Sequence, residues 1–278
     1  MAVKVKILLL ALVILIAGCD SFVPSNPTSI SITLAPTAIP VPTSTPVPKD
    51  TGWRSIRPGI EYREVDVTID GRSDRVRIAR VDPAQVRLRV VYDPNQPRRV
   101  SEWLDSTRSL LVVNGNYFDP QNRALGLIVH DGLKAGSVYQ GFGGMFAVNG
   151  SEAQVRWNVA QPYVEGEGLL YAMQNFPMLV IPGGAPNLQI DDNQRTASRT
   201  AVAQDRSGRI LFVVSPGVMF TLTEFGKWLA ASDLQIDAAL NLDGGTSSGL
   251  LIRNGDHTEG ADSWVSVPSV IAASEIGR

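Results

Sequence analysis

Residues 236–240 and 250–252 are apolar runs bounded by turn residues, the pattern of buried strands. Between them, at 241–249, lies Asn-Leu-Asp-Gly-Gly-Thr-Ser-Ser-Gly. A polar, glycine-rich segment wedged between two core strands must either turn the chain or build a site at the strand ends. The Asp-Gly pair alone is satisfied by a type I′ β-hairpin. Such a turn has no use for Asn241, for a second glycine or for three consecutive hydroxyls, so the longer string favours a loop facing a ligand. Gly244 and Gly245 tolerate positive φ and leave the backbone open to approach. Asp243 then stands at a strand end, on a rigid frame, facing a vacant space.

A second strand ends in the same kind of chemistry. Residues 110–113, all apolar, run into Asn114-Gly115-Asn116-Tyr117-Phe118-Asp119, where Asn114 reads either as a pocket residue or as a turn amide bonded to its own backbone. Arg199 lies on a further strand candidate, 198–203, among small residues. Alternation over 60–69 and 75–81, with Asp70-Gly71 between, reads as a hairpin that 86–92 continues as a meander. Other strand candidates are 125–130, 143–148, 173–181 running through Pro177, 209–215 and 265–272; residues 152–168 show no pattern. Ser101 is placed to cap one short helix. Thr221-x-x-Glu224 is a capping box for another, whose stripe of Leu222, Phe225, Trp228 and Leu229 reads as core. The expected fold class is α+β: a single domain with a largely antiparallel or mixed sheet and two or three helices.

The N-terminal region differs in character. Lys4 and Lys6 precede an apolar run at 7–17, too short to span a bilayer but suited to a signal peptide. Ile-Ala-Gly-Cys at 16–19 resembles a bacterial lipobox, with Cys19, the only cysteine, as the lipidated residue; an ordinary signal peptide with an incidental cysteine is the alternative. A lone thiol excludes a disulfide framework, so stability must come from a core. Residues 21–48 carry no charge and seven prolines, the composition of an extended tether. The expected organisation is a signal peptide at 1–18, a lipidated cysteine and tether at 19–48, and one domain at 49–278, exported and anchored outside the cytoplasm. A net charge of −2 with interspersed signs gives no case for nucleic acid.

Three strings together resemble the phosphodiester glycosidase family: 114–118, Arg199-Thr200-Ala201 and 241–248, with Pro-Met-Leu-Val at 177–180 also fitting. Its founding members are uncovering enzymes that remove N-acetylglucosamine from a sugar phosphodiester on lysosomal glycans. The sequence departs from the family pattern where Asn116 and Tyr117 replace Gly and Phe, and where Thr246 replaces a third glycine. The resemblance implies an envelope-tethered hydrolase that frees a sugar from a sugar-1-phosphodiester. Asp243 would act at the anomeric carbon and Arg199 would hold the phosphate. Asn114 and Asn241 would position sugar hydroxyls or a water, and the backbone at Gly244 and Gly245 would donate to phosphate oxygens. Gly115, Asn116, Thr200, Thr246 and Ser247 would complete the substrate contacts.

The residues suit that chemistry. Phosphate is a weakly basic leaving group, so one carboxylate serves where ordinary glycoside hydrolysis uses two. An arginine fork matches phosphate oxygens. A Ser-His-Asp hydrolase or a histidine zinc site would have to use His130 or His257, and neither lies in a nucleophile-elbow or ligand-spaced motif. No cofactor is called for. The Asp191-Asp192-Asn193 run reads as a solvated loop, with a divalent cation left undecided. The non-enzymatic alternative is a tethered module that binds glycans.

Lipidation at Cys19 has a direct test. Cys19→Ser should release the protein from membranes or stall its processing, read by fractionation and intact mass. A correctly processed mutant that stays membrane-bound would refute it.

Overall fold

The computed structural model describes residues 49–277; the leader, Cys19 and the tether lie outside the described residues. In chain order the elements are β1 (Arg54–Arg57), β2 (Ile60–Ile69), β3 (Arg72–Val81), β4 (Val86–Tyr92), α1 (Val100–Ser106), β5 (Leu111–Asn114), β6 (Ile128–His130), β7 (Leu133–Ala135), β8 (Gly144–Asn149) and β9 (Glu152–Trp157). They continue with β10 (Tyr171–Asn175), β11 (Met178–Ile181), β12 (Ala185–Pro186), β13 (Ala197–Asp205), β14 (Ile210–Phe220), α2 (Leu222–Ala231), β15 (Ile236–Asn241), β16 (Leu250–Asn254), β17 (His257–Ala261) and β18 (Ser269–Glu275).

The α+β expectation is overturned. Among the described residues the fold is β-rich: three antiparallel sheets and only two α-helices, of 7 and 10 residues. Helices this short cover sheet faces rather than forming a layer of their own. One sheet has eight strands in the order β1-β2-β3-β14-β13-β15-β11-β12; the others have five each, β7-β6-β10-β8-β9 and β17-β16-β5-β18-β4. All three contribute to one core, where Phe146, Phe212, Leu240, Val113 and Ile271 meet. The far face of the eight-stranded sheet packs under α2, and α1 covers the sheet that holds β5.

Two local expectations fail for non-local reasons. Residues 86–92 do not extend the hairpin, because the free edge of β3 is taken by β14, Ile210 opposite Val81. β4 pairs instead with β18, 177 positions apart at Tyr92↔Ser269 and 189 at Val86↔Glu275. The run through Pro177 is two strands: β10 belongs to one five-stranded sheet and β11 to the eight-stranded one. Proline has no N–H to continue a ladder, and the chain changes sheets there.

The helices are held at their starts. In α2 the Thr221 hydroxyl accepts from the Glu224 N–H at 3.2 Å, and the Glu224 carboxylate accepts from the Thr221 N–H at 2.8 Å. Asp192 accepts from the Thr223 N–H at 2.8 Å, so it serves as a further cap in this structure. Helix α1 begins two residues earlier than a Ser101 cap implies, with Arg99 at the N-cap; its Val100 and Ser101 N–H groups donate to Ser263 and Asp262, far along the chain. Burial outweighs capping in α2: Phe225 and Leu229 are fully buried, each worth about 1.5–3 kcal/mol against about 1 kcal/mol for the cap.

Gly226 sets how closely α2 approaches β11, since a Cβ there would lie 2.8 Å from the Leu179 carbonyl oxygen. Alanine gains about 1 kcal/mol of helix propensity, but overpacking against backbone costs about 1–3 kcal/mol. Gly226→Ala should therefore destabilise the protein in urea denaturation; a stabilised variant would show that α2 is not pinned at this contact.

Candidate functional site

Asn114, at the end of β5, is fully buried and joins two sheets. Its side-chain oxygen accepts from the Thr200 hydroxyl of β13 at 2.8 Å and from the Gly249 N–H at 3.0 Å. Its amide nitrogen donates to the Asp243 carbonyl at 2.7 Å. One amide thus fixes both ends of the 243–249 loop. The Asp243 N–H donates to the Gly115 carbonyl at 3.0 Å, adding a second tie. Asn116 is likewise inside, its oxygen accepting from the Ser269 hydroxyl at 2.8 Å. Asn114, Gly115, Asn116 and Thr200 are all buried and form the frame beneath the site.

Above that frame the strands carry their side chains outward. The β13–β15 ladder ends at Ala201 opposite Asn241, with the Leu242 N–H still bonded to the Thr200 carbonyl at 2.8 Å. Side chains alternate faces along a strand. Arg199 and Asp243 are therefore the next pair on the face that bears Asn241. They do not form an ion pair. The Arg199 guanidinium turns to the Phe220 carbonyl at 3.0 Å and the Arg195 carbonyl at 2.7 Å, with no carboxylate within ion-pair distance. Burial lowers its pKa, opposed by the Tyr117 phenol and by the Asp192 and Glu224 charges. The Asp243 carboxylate turns the other way, accepting from the Gly244 N–H at 2.9 Å. Burial pushes its pKa from 3.8 up to about 6, against the lowering effect of Ser247 and of the Gly244 N–H.

Tyr117 is the third member of this surface. Burial raises its phenol pKa most; the Asp243 charge raises it further and the Arg199 charge lowers it. It accepts from the Asn241 amide nitrogen at 2.6 Å and donates to the Phe176 carbonyl at 3.2 Å. The Asn241 side-chain oxygen is buried without a partner, an acceptor free for a ligand or water. The sequence strings contain Tyr117, but only its substitution in the family pattern marks it out; the partnership with Phe176 has no local signal.

The loop itself explains its glycines. Gly245 has φ 60°, and a Cβ at Gly244 would lie 2.8 Å from the Ser198 carbonyl. Thr246 is the only exposed residue in 241–249, and its carbonyl accepts from the Trp264 and Val265 N–H groups at 2.8 and 3.3 Å. Trp264, 79 % exposed, borders the loop. A groove of about 430 Å³ adjoins Tyr117 and is lined by Phe142, Phe176 and Leu222 among others. The histidines stand apart from this cluster: His130 bonds the Val90 carbonyl at 2.8 Å, and His257 is exposed on β17. Among the described residues no group of three or more His, Cys, Asp or Glu is placed to hold a metal.

Comparison with known proteins agrees with the geometry. The phosphodiester glycosidase family matches residues 107–273, more than half of the chain. The catalytic domain of zebrafish N-acetylglucosamine-1-phosphodiester alpha-N-acetylglucosaminidase, auto-inhibited by a pro-peptide, superposes with a TM-score of 0.63 at 19% identity, over 80% of this chain and 85% of that one. A hypothetical protein from Synechocystis gives 0.55 at 16% identity, over 78% of this chain and 62% of that one. Among curated proteins none matches.

The environment of Asp243 makes stability depend on pH. Its folded pKa of about 6 lies above the unfolded value of 3.8, so the folded chain holds the proton more tightly. That contribution is complete below the unfolded pKa and is lost as pH rises through the folded one. Asp243→Asn has no such loss. Its unfolding free energy should gain on the wild type between about pH 4 and about pH 7, measured by urea denaturation; a constant difference across that window would show the carboxylate to be well solvated.

Proposed function

The chain belongs to the phosphodiester glycosidase family, and from that membership we propose that it is a hydrolase cleaving the glycosidic bond of a sugar-1-phosphodiester to free sugar and a phosphate monoester. The observation that carries the reading is a pair of charges not spent on each other: a half-buried guanidinium with no carboxylate partner, and a carboxylate whose pKa burial raises to about 6. A structural ion pair would have neutralised both. Left unneutralised, they suit a substrate with an anionic part and an electron-deficient carbon.

Arg199 holds the phosphate, for which its fork is shaped. Asp243, ionised above pH 6, stabilises positive charge developing at the anomeric carbon or takes a proton from the attacking water. The bond from the anomeric carbon to the bridging oxygen breaks; water oxygen joins the carbon, and the bridging oxygen leaves on phosphate. The Asn241 oxygen and the Tyr117 hydroxyl orient sugar hydroxyls or the water. Asn114, Asn116 and Thr200 act from below, as positioning residues. The Gly244 N–H is already engaged by Asp243, so backbone donation to phosphate falls to Gly245 and Thr246. Export and a lipid anchor at Cys19 complete the proposal, with the enzyme at the outer face of a membrane.

Variants at the two charges should fail differently. Asp243→Asn should lower kcat on every substrate by about a hundredfold or more. Arg199→Lys should impair phosphodiesters far more than neutral aryl glycosides. Hydrolysis in ¹⁸O-water should label the sugar. Label in the phosphate would mean a phosphodiesterase. Lost turnover with retained sugar binding in Asp243→Asn supports the enzyme, whereas sugar binding with no turnover by the wild-type chain would favour a glycan-binding module.

A further inference from the structure

The groove beside Tyr117 has a chemistry of its own. It holds about 430 Å³, and its walls are the rings of Tyr117, Phe142, Trp157 and Phe176 facing Ile190 and Leu222. The rings support one another: Tyr117 and Phe176 centroids are 5.1 Å apart, Phe142 and Phe176 5.9 Å, and Tyr139 and Phe142 4.8 Å. Phe142 and Phe176 nonetheless remain 48% and 40% exposed at the lip. No lysine or arginine lines the groove, and its polar residues, Asn187, Gln189 and Asp191, offer no cation to a second anionic or heavily hydrated group.

The position of the groove relative to the two charges decides which arm of a phosphodiester enters it. Asp191 and Leu222 line it, and their near neighbours Asp192 and Phe220 belong to the surroundings of Arg199: the Asp192 charge reaches the guanidinium, and the Phe220 carbonyl accepts from it. Ser247 and Gly244, the partners of Asp243, do not line it. Tyr117 joins the groove to the site, with its ring in the groove wall and its hydroxyl accepting from the Asn241 amide. The groove thus adjoins the Arg199 side of the site, where the proposal puts the phosphate, and not the Asp243 loop.

We propose that this groove is the subsite for the alcohol esterified to phosphate, and that this alcohol is apolar, an alkyl or aryl group rather than a second sugar. The assignment rests on the hydrolase reading above. Each methylene removed from water tightens binding about fourfold, so even partial burial of a medium-length chain separates apolar from small alcohols.

Two measurements on the full chain keep the groove and the reaction apart. In the first, methyl phosphate and octyl phosphate, the product monoesters, are titrated by calorimetry. Octyl phosphate should bind at least tenfold more tightly, and Phe142→Ala should reduce that ratio severalfold. Equal binding, or a preference unchanged in Phe142→Ala, would overturn the proposal whatever the turnover. In the second, methyl and octyl phosphodiesters of N-acetylglucosamine 1-phosphate are compared as substrates. The octyl ester should show the higher kcat/KM, through a lower KM. Cleavage of both esters with no preference would overturn the groove assignment and leave the hydrolase reading standing. Tight octyl phosphate binding that depends on Phe142, with neither ester cleaved, would remove the hydrolase reading and leave an apolar phosphate-ester site.

Discussion

The buried amide of Asn114 is the contact on which the site depends. It stands where the strand ends of two sheets meet, and it holds Thr200 from one, Gly249 and the Asp243 carbonyl from the loop between them. Among the described residues no other side chain bonds all three. Loss of such a group costs more than its own hydrogen bonds, because the partners left behind are buried and unsatisfied, at about 1–3 kcal/mol each. The arrangement also separates two tasks. Rigidity sits in neutral amides and hydroxyls below, while the charged groups above, Arg199 and Asp243, bond neutral partners and carry no counter-ion.

That separation accounts for what was legible in the sequence. The two polar strings fall where the strand ends of two sheets come together, and they stood out because glycine, amide and carboxylate crowded between apolar runs have few structural uses. They did not tell frame from surface. Asn114, Asn116 and Thr200 look like ligand contacts in a linear reading and are inside; Thr200 is buried by the β13–β15 register, Asn114 by the pairing of β5 with β18 and Asn116 by its bond to Ser269, none of which a local pattern specifies. Tyr117 gained its place only from the Asn241 and Phe176 contacts, reached across more than fifty residues of chain.

The fold shows the same limit. Helix α2 was readable from its capping box and stripe, both local. Helix α1 was placed less well because its caps, Asp262 and Ser263, arrive from about 160 positions away. The class was misjudged for a related reason: alternating runs announce strands, but how they are divided among sheets depends on which edge is already occupied, as with β3 and β14. Helical periodicity is complete within a few turns of chain. Sheet membership is not.

Thr246 has a consequence for how such a protein diversifies. The loop tip is fastened through its main chain, by the Trp264 and Val265 amides, while its side chain alone in the loop stands in solvent. Exchange of that side chain changes what an incoming molecule meets and leaves the tether of the tip intact. Neighbouring positions are constrained by a close carbonyl, a left-handed turn or burial. Position 246 is therefore where the surface of this loop can change at little cost to folding.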